Sequence, residues 1–377
     1  MSKLNELIQQ YCPDGVEYRK LEDCCTVLDK KRKPVTKAAR EAGEYPYYGA
    51  NGIQDYVADY IFDGTFVLVG EDGSVITKAG TPVVTWAEGK IWVNNHAHII
   101  EETDGVLLRY LFHYIQTIDV TPLIHGNIPK LTGGDFRALQ IPVPPLPVQS
   151  EIVRILDNFT ELTAELTAEL TARKKQYEFY RDKLLTFGDV RRGATSDVAW
   201  KTLGEVCNLQ SGKAISAYLI SDTQTAENPI PCYGANGLRG YVSTSNESGD
   251  KPIVGRQGAL CGNVCFATGS YYATEHAVVV TDKGFFNSRF LYHLLVNADL
   301  NQYKTAGAQP GLSVARLNEV KVPVPARTVQ DRIANVLDNF DAICSDLKIG
   351  LPAEIEARQK QYEYYRDKLL TFKELGA

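Results

Sequence analysis

Gln176-Tyr-Glu-Phe-Tyr-Arg-Asp-Lys-Leu-Leu-Thr-Phe187 lies near the middle of this chain, and Gln361-Tyr-Glu-Tyr-Tyr-Arg-Asp-Lys-Leu-Leu-Thr-Phe372 lies near its end. The offset is 361 − 176 = 185, about half of the 377 residues, and only Phe179/Tyr364 differs. A match of that length marks a tandem duplication, and an internal repeat governs every later reading of architecture.

The duplication is collinear. Tyr48-Gly-Ala-Asn-Gly52 returns as Tyr233-Gly-Ala-Asn-Gly237, and Val69-Gly70-x-x-Gly73 as Val254-Gly255-x-x-Gly258. His96-Ala97 returns as His276-Ala277, and Arg109, Leu111 and His113 as Arg289, Leu291 and His293. Gly126, Pro129 and Leu131 return as Gly307, Pro310 and Leu312, and Leu156-Asp-Asn-Phe159 as Leu337-Asp-Asn-Phe340. Each half therefore runs from a mixed β-rich region through a helix and a Pro-rich hinge into a long amphipathic helix. Two such copies point to a pseudo-twofold molecule.

Composition suits folded cores: 44% of residues are apolar. No run reaches the roughly 18 apolar residues of a membrane span, and Met1–Gln10 is not a signal peptide, so a cytoplasmic protein is expected. The eight cysteines form neither a disulfide framework nor a zinc-like set of four ligands, which reads as reduced thiols. A net charge of −6 argues against a uniformly basic nucleic-acid coat. Local basic runs exist all the same. Lys30-Lys-Arg-Lys33 is followed by Lys37 and Arg40, and Arg173, Lys174, Lys175, Arg181, Lys183, Arg191 and Arg192 outnumber Glu178, Asp182 and Asp189. Either run alone is ordinarily a solvated face.

After Ile141-Pro-Val-Pro-Pro-Leu-Pro147 the apolar residues Ile152, Leu156, Phe159, Leu162, Leu166, Leu170, Tyr177, Tyr180, Leu184 and Phe187 fall at steps of three, four or seven. No Gly or Pro interrupts Val148–Phe187, which predicts a rod of about 60 Å. Inside it, Thr163-Ala-Glu-Leu166 and Thr167-Ala-Glu-Leu170 repeat a four-residue unit. Each added copy lengthens a helix by about 6 Å and turns the next residues by about 40°, so the unit can adjust length while nearly keeping the stripe. The second long helix is expected from Thr328, with Thr328-Val-Gln-Asp331 resembling a capping box, and Gly350-Leu-Pro352 is expected to break it. Matched stripes predict that the two helices pack together, antiparallel if a twofold relates the halves.

In the β-rich regions, Phe66–Val69, Ile91–Val93, His98–Ile100, Ile253–Val254 and Ala277–Val280 read as strands, and Tyr-Gly-Ala-Asn-Gly as turn chemistry. The Gly-x-x-Gly segments also read as turns, since no Gly-Lys-Ser/Thr comes after them to make a phosphate loop. The framework repeats while its polar side chains change: Glu71-Asp72 becomes Arg256-Gln257, and Ile53-Gln54 becomes Leu238-Arg239. One scaffold carrying two sets of hydrogen-bonding groups suits the reading of two different ligands. The paired histidines His96/His276 and His113/His293 read as packed structural residues. No catalytic triad, carboxylate pair, metal cluster or dinucleotide fingerprint accompanies them.

Taken together, the chain resembles a specificity subunit of a type I restriction–modification system over essentially its whole length. The resemblance rests on two variable regions alternating with two similar helical segments, and on the hinges Ile141-Pro-Val-Pro-Pro-Leu-Pro-Val-Gln149 and Val322-Pro-Val-Pro-Ala-Arg-Thr-Val-Gln330. Cys12-Pro-Asp-Gly-Val-Glu-Tyr-Arg-Lys-Leu21, the Thr-Ala-Glu-Leu repeats and the two twelve-residue segments complete it. The second hinge departs from Pro-Pro-Leu-Pro at Ala326-Arg327-Thr328.

The resemblance implies an α+β fold: two β-rich target-recognition domains related by a pseudo-twofold and joined by two long antiparallel, coiled-coil-like helices. The expected division is 1–148 and 191–327 for recognition, with 149–190 and 328–377 as spacer helices. Each recognition domain would read one half of a bipartite, asymmetric DNA site. The helices would set the separation and dock two modification (methyltransferase) subunits through Tyr177, Tyr180, Leu184, Tyr362, Tyr365 and Leu369. This chain would be non-catalytic and carry no cofactor or metal. S-adenosylmethionine would sit on the modification subunits, and ATP and Mg on restriction (translocase/nuclease) subunits.

Asn51 and Gln54 in the first domain, and Asn236, Arg239, Arg256 and Gln257 in the second, are the expected base readers. Lys31, Arg32 and Lys33 are the expected phosphate contacts. The rival readings are a helical scaffold that does not bind DNA and a self-sufficient DNA adenine methyltransferase.

Overall fold

Strand patterns in both halves stop at the Tyr-Gly-Ala-Asn-Gly turns, and each turn closes a hairpin because its last glycine adopts a left-handed backbone (φ +92° at Gly52, +91° at Gly237). A computed structural model describes residues 2–73, 75–125, 129–187, 198–258, 260–305 and 310–376. Gly126, Gly307, Asp189, Arg191 and Arg192 lie outside the described residues. Contacts group the chain into two compact units, Met1–Leu166 with Ile355–Ala377, and Thr167–Glu354. The expected spacer segments 149–190 and 328–377 are thus shared out between the units. Each unit takes the start of one long helix and the end of the other.

In the first unit, strands β1 (Thr26–Val27), β2 (Ala42–Gly49), β3 (Gly52–Val57), β4 (Phe62–Gly70), β5 (Val84–Val93) and β6 (Ala97–Glu101) form one sheet in the order β1-β6-β4-β5-β2-β3. The pairings are antiparallel except β2 with β5. Strand β4 is central, so Phe66–Val69 is buried on both faces. Val67 and Val69 point towards a core that includes helices α1 (Ser2–Tyr11) and α2 (Leu108–Ile115), while Phe66 and Leu68 face a second cluster with Ile91, Val93 and Ile99.

The second unit repeats this plan with strands β7 (Cys207–Ser211), β8 (Ile230–Gly234), β9 (Gly237–Val242), β10 (Glu247–Ser248), β11 (Lys251–Gly255), β12 (Val264–Ala267), β13 (Ser270–Ala273) and β14 (Ala277–Asp282). They form two sheets, β7-β14-β11-β12 and β9-β8-β13-β10. The long β4–β5 pairing of the first unit is here interrupted on both strands. Gly249 and Gly269 adopt φ +90° and +64°, and Gly249 N–H donates to Gly269 O at 2.8 Å, so the chain kinks where the other copy runs on.

Helix α3 (Leu146–Leu185) has the forty residues expected of an uninterrupted rod. Its Val148, Ile152 and Leu156 are buried in the first unit's core, and its Leu185 in the second's. Helix α4 (Ser288–Asn297) is the second unit's match to α2, and α5 (Arg327–Ser345) contributes Ile333, Ala334 and Leu337 to the same core. Helix α6 (Leu351–Leu369) delivers Tyr362 and Leu369 to the first core. The expected capping box at Thr328 does not form. Helix α5 starts after Ala326 without a side-chain cap, and the Asp331 carboxylate instead accepts from Asn287 Nδ2 (2.8 Å) and Arg327 Nε (3.2 Å). Helix α5 also stops at Ser345, five residues short of Gly350, and Pro352 opens α6 in its first turn, where a missing N–H costs nothing.

Candidate nucleic-acid interface

At the end of the central strand the two units have one backbone design. Glu71 N–H donates to His96 O and Arg256 N–H to His276 O, both at 2.9 Å. Their carbonyls accept from Leu131 N–H and Leu312 N–H, both at 2.8 Å, and Gly73 and Gly258 N–H donate to Pro129 O and Pro310 O, both at 3.0 Å. The hairpin turn presses onto this strand end. A Cβ on Gly255 would stand 1.8 Å from Ala235 O, and one on Gly70 would stand 3.1 Å from Ala50 O, so glycine is what lets the turn approach. The expected readers are gathered by this contact: Asn51 and Gln54 with residues 71–72 in one unit, Asn236 and Arg239 with residues 256–257 in the other. Asn51, Gln54, Asn236, Arg239 and Gln257 are exposed, and Arg256 is half-buried.

In the first unit the polar groups satisfy one another. Asn94, 2% exposed, donates from Nδ2 to Gln54 Oε1 (3.3 Å), and its own Oδ1 accepts from His96 N–H (2.8 Å). His96 Nδ1 pairs with Asp72 Oδ1. Arg32 is not the free phosphate contact expected of it, because its guanidinium is tied inside the unit. Nη1 donates to Glu71 Oε2 and Ala97 O, both at 2.6 Å, and Nε to Asp29 O at 2.9 Å. Lys31 and Lys33 remain exposed on the same loop, which Trp92 Nε1 fixes by donating to Lys33 O at 2.7 Å. Asp29, Glu71 and His98 come closest to metal-ligand spacing among the described residues. Arg32, Lys130 (3.2 Å) and Arg137 (3.7 Å) already balance their charge. Burial raises the Asp29 pKa, but the bonds from His98 and Ile99 N–H outweigh it and hold the carboxyl below its ordinary value.

The second unit leaves more of its polar groups open. Arg256 donates from Nη1 to Ser211 Oγ at 2.8 Å, while its buried Nε has no partner among the described residues. Glu275 Oε1 lies 3.2 Å from His276 Nε2, while buried Glu275 Oε2 and His276 Nδ1 have no partner among the described residues. His96 and His276 are therefore members of the polar strand-end cluster and are not packed in the core. Asn94, Thr274 and Glu275 join it with no sequence signal beyond closeness to those histidines, and Ser211, which binds Arg256 from a distant strand, with none.

His113 and His293 are packed, with fully buried side chains, and each is the centre of a latch that holds helix against domain. His113 Nε2 meets Asp157 Oδ1 at 2.8 Å and His293 Nε2 meets Asp338 Oδ1 at 2.7 Å. On the other ring nitrogen, Tyr362 OH lies 3.0 Å from His113 Nδ1, and Tyr177 OH 3.2 Å from His293 Nδ1. Burial pushes both histidine pKa values down, more than the carboxylates raise them. The neutral rings thus donate from Nε2 to the aspartates and accept the tyrosine hydroxyls at Nδ1. Burial also pushes the Tyr362 hydroxyl up to about 12, keeping it a donor. Arg109 and Arg289 complete the two latches on Asp157 and Asp338, both at 2.7 Å. Gln149 and Gln330, at 0% and 1% exposure, add a second fastening. Each accepts from one backbone N–H (Leu107 or Asn287) and donates to two carbonyls (Gly105 and Pro144, or Phe285 and Pro325).

These latches turn four of the six expected docking residues inward. Tyr177, Leu184, Tyr362 and Leu369 pack into their own units, Tyr365 stacks on Phe159 at 5.3 Å, and Tyr180 stacks on Phe340 at 5.7 Å while staying exposed. The repeated segment shows outward its single differing position, Phe179 (61% exposed) and Tyr364 (60%), with Lys183 and Lys368 over the rings.

Among the described residues no helix is long and apolar enough to cross a membrane. The model of the type I restriction modification DNA specificity domain matches the chain twice, at residues 13–173 and 195–357. A putative type I restriction enzyme specificity subunit of Haemophilus influenzae is 35% identical over 95% of this chain and 96% of its own length. The EcoprrI specificity subunit of Escherichia coli is 47% identical over 64% of this chain and 62% of its own. The crystal structure of a type I restriction–modification S subunit from M. genitalium shares the fold, with a TM-score of 0.66, 18% identity, and coverage of 94% of this chain and 96% of that one. With both of its halves matched by that domain, the chain belongs to the type I restriction–modification DNA specificity family.

Proposed function

We propose that this chain is the DNA-recognition subunit of a type I restriction–modification complex, each unit reading one part of a bipartite, asymmetric site. The observation that carries the reading is the duplicated strand-end frame, identical in backbone bonding and different in side chains: Glu71-Asp72 in one unit, Arg256-Gln257 in the other. Exposed Lys31 and Lys33 would add sequence-independent phosphate affinity to the first unit. The chain would work in the cytoplasm as a non-catalytic member of the complex. Two modification subunits would hold S-adenosylmethionine and methylate DNA, and restriction subunits would use ATP and Mg. Phe179, Tyr180 and Tyr364, rather than the inward Tyr177 and Tyr362, are the positions where such subunits would dock.

The test is methylome sequencing of a host that carries this chain with its modification subunit. Methylation confined to one bipartite, asymmetric motif is expected; an unsplit or palindromic motif, or none, would refute the reading. A variant with one more Thr-Ala-Glu-Leu unit should widen the gap between half-sites by about one or two base pairs. Four residues add about 6 Å of helix, against about 3.4 Å per base step.

A further inference from the structure

We infer that the outer face of α5, in the second unit, docks an amphipathic helix of the modification subunit, one that brings a carboxylate to Arg332. The inference rests on the reading of this chain as part of a modification complex and names a surface for that partner. In the first unit the matching face is filled by the chain itself. Helix α1 lies on the start of α3: Lys3 Nζ donates to Glu151 Oε2 at 3.0 Å, and Leu4 is buried in one core with Val148 and Ile152. Leu7 and Ile8 of α1 pack against that core, as does Ile155 of α3. Leu4, Leu7 and Ile8 are spaced as the apolar stripe of a short amphipathic helix.

The second unit has the same face without its cover. At the offset 332 − 151 = 181, Val148, Glu151 and Ile155 return as Val329, Arg332 and Val336. Val148 is fully buried and Glu151 is 3% exposed, whereas Val329 is 39% exposed, Val336 is 42%, and Arg332 is exposed as well. Exposed Ile343 continues the row, so Val329, Val336 and Ile343 stand at steps of seven along about 21 Å of helix. No helix among the described residues of the second unit matches α1. Residues 188–197, between the repeated segment and Val198, hold only Val190 and Ala194 as aliphatic side chains.

A row of exposed apolar side chains marks an interaction face, and the first unit shows the shape of what fits it. The reversal of charge specifies the occupant further. Where α1 presents Lys3 to Glu151, the occupant must present an acid to Arg332, which makes no hydrogen bond or ion pair among the described residues. The α1 of a second copy would set Lys3 against Arg332. DNA phosphates would leave the apolar row in water. The modification subunit is the partner that the complex already brings to these helices.

The experiment titrates the modification subunit into the full chain by calorimetry, without DNA, for the wild type, Val336→Asp and Arg332→Glu. Both positions are exposed, so urea midpoints should stay where they are. Val336→Asp should weaken binding of a modification subunit by about tenfold to a hundredfold. Arg332→Glu should weaken it by about tenfold and flatten its dependence on salt, because salt screens a charge pair and not an apolar contact. A photo-cross-linking residue at position 336, in the complete complex on DNA, tests the face even if a variant fails to fold. It should attach to a modification-subunit helix that carries Asp or Glu; attachment to DNA, to a second copy of this chain or to nothing would overturn the inference. Wild-type affinity in both variants would overturn it alone. A wild-type chain that binds no modification subunit would overturn the complex reading first, and this inference with it.

Discussion

The strand-end sites of the two units share their frame of backbone bonds and differ in how their side chains are satisfied. In the first unit Glu71 is enclosed by Arg32 and Lys130, Asp72 by His96, and Gln54 by Asn94. In the second, Arg239 is unpaired and Arg256 keeps a free Nε among the described residues. A duplicated scaffold can therefore hold its backbone geometry with glycine turns and main-chain bonds alone. That leaves its side chains able to diverge into a self-satisfied cluster or an open one. Specificity can change cheaply above a frame that does not depend on the side chains it carries.

Exchanging the two sets of side chains would strain that comparison most. Glu71→Arg with Asp72→Gln would take the carboxylate away from Arg32 and Lys130, leave Asp29 as the remaining carboxylate for Arg32 and Arg137, and add another cation. Urea unfolding of the full chain should show a loss of about 3–5 kcal/mol, the usual cost of stranding buried charge. The reverse pair, Arg256→Glu with Gln257→Asp, removes one bond to Ser211 and sets a carboxylate at a half-buried position, a smaller loss of about 1–3 kcal/mol. Equal losses would show that the second frame depends on its side chains after all.

The latches sharpen the comparison in the other direction, since there the two units agree. Their histidines have pKa values lowered by burial, so the neutral ring is the folded form and its stabilisation is present above the ordinary value of 6.5. It is lost as pH falls through the folded pKa, because protonation puts a hydrogen on Nδ1 where the tyrosine hydroxyl donates. Asp157 and Asp338 also have lowered pKa values, against their burial, and their contribution is lost below 3.8. Urea midpoints should drop from pH 7.5 to pH 5, and His113→Gln with His293→Gln should flatten that drop. An unchanged slope would mean that the rings are already charged in the fold.

The smallest expected effect is that of Tyr362→Phe and Tyr177→Phe. Each deletes one hydroxyl bond to a ring nitrogen, and each should cost about 1 kcal/mol by the same unfolding measurement. Tyr362 is the more deeply buried and its bond the shorter, so a larger loss at Tyr177 would break the equivalence of the two latches.

Much of this molecule is legible as repetition. The forty-residue helix comes from an unbroken stripe without Gly or Pro, and the hairpins from Tyr-Gly-Ala-Asn-Gly, because both are local rules about backbone freedom. The capping box expected at Thr328 fails for a reason of the opposite kind. Asp331 has a better use in bonding Asn287, 44 residues away in sequence, and a distant partner leaves no local trace. The tyrosine stripe misleads in the same way: its periodicity shows an apolar face, but nothing local says that the face is already occupied.

By itself, the sequence determined the duplication, the order of elements in each copy, the long helix and the family, all of which depend on spacing along the chain. Tertiary structure alone decided which half of each helix belongs to which unit, that Tyr177 and Tyr362 close latches on buried histidines, and that Arg32 is tied up while Arg239 is not. The physical reason is that pairing and burial are settled between residues far apart in sequence. The two copies of one twelve-residue segment look alike because each must fit the same histidine and aspartate, supplied in each case by another part of the chain.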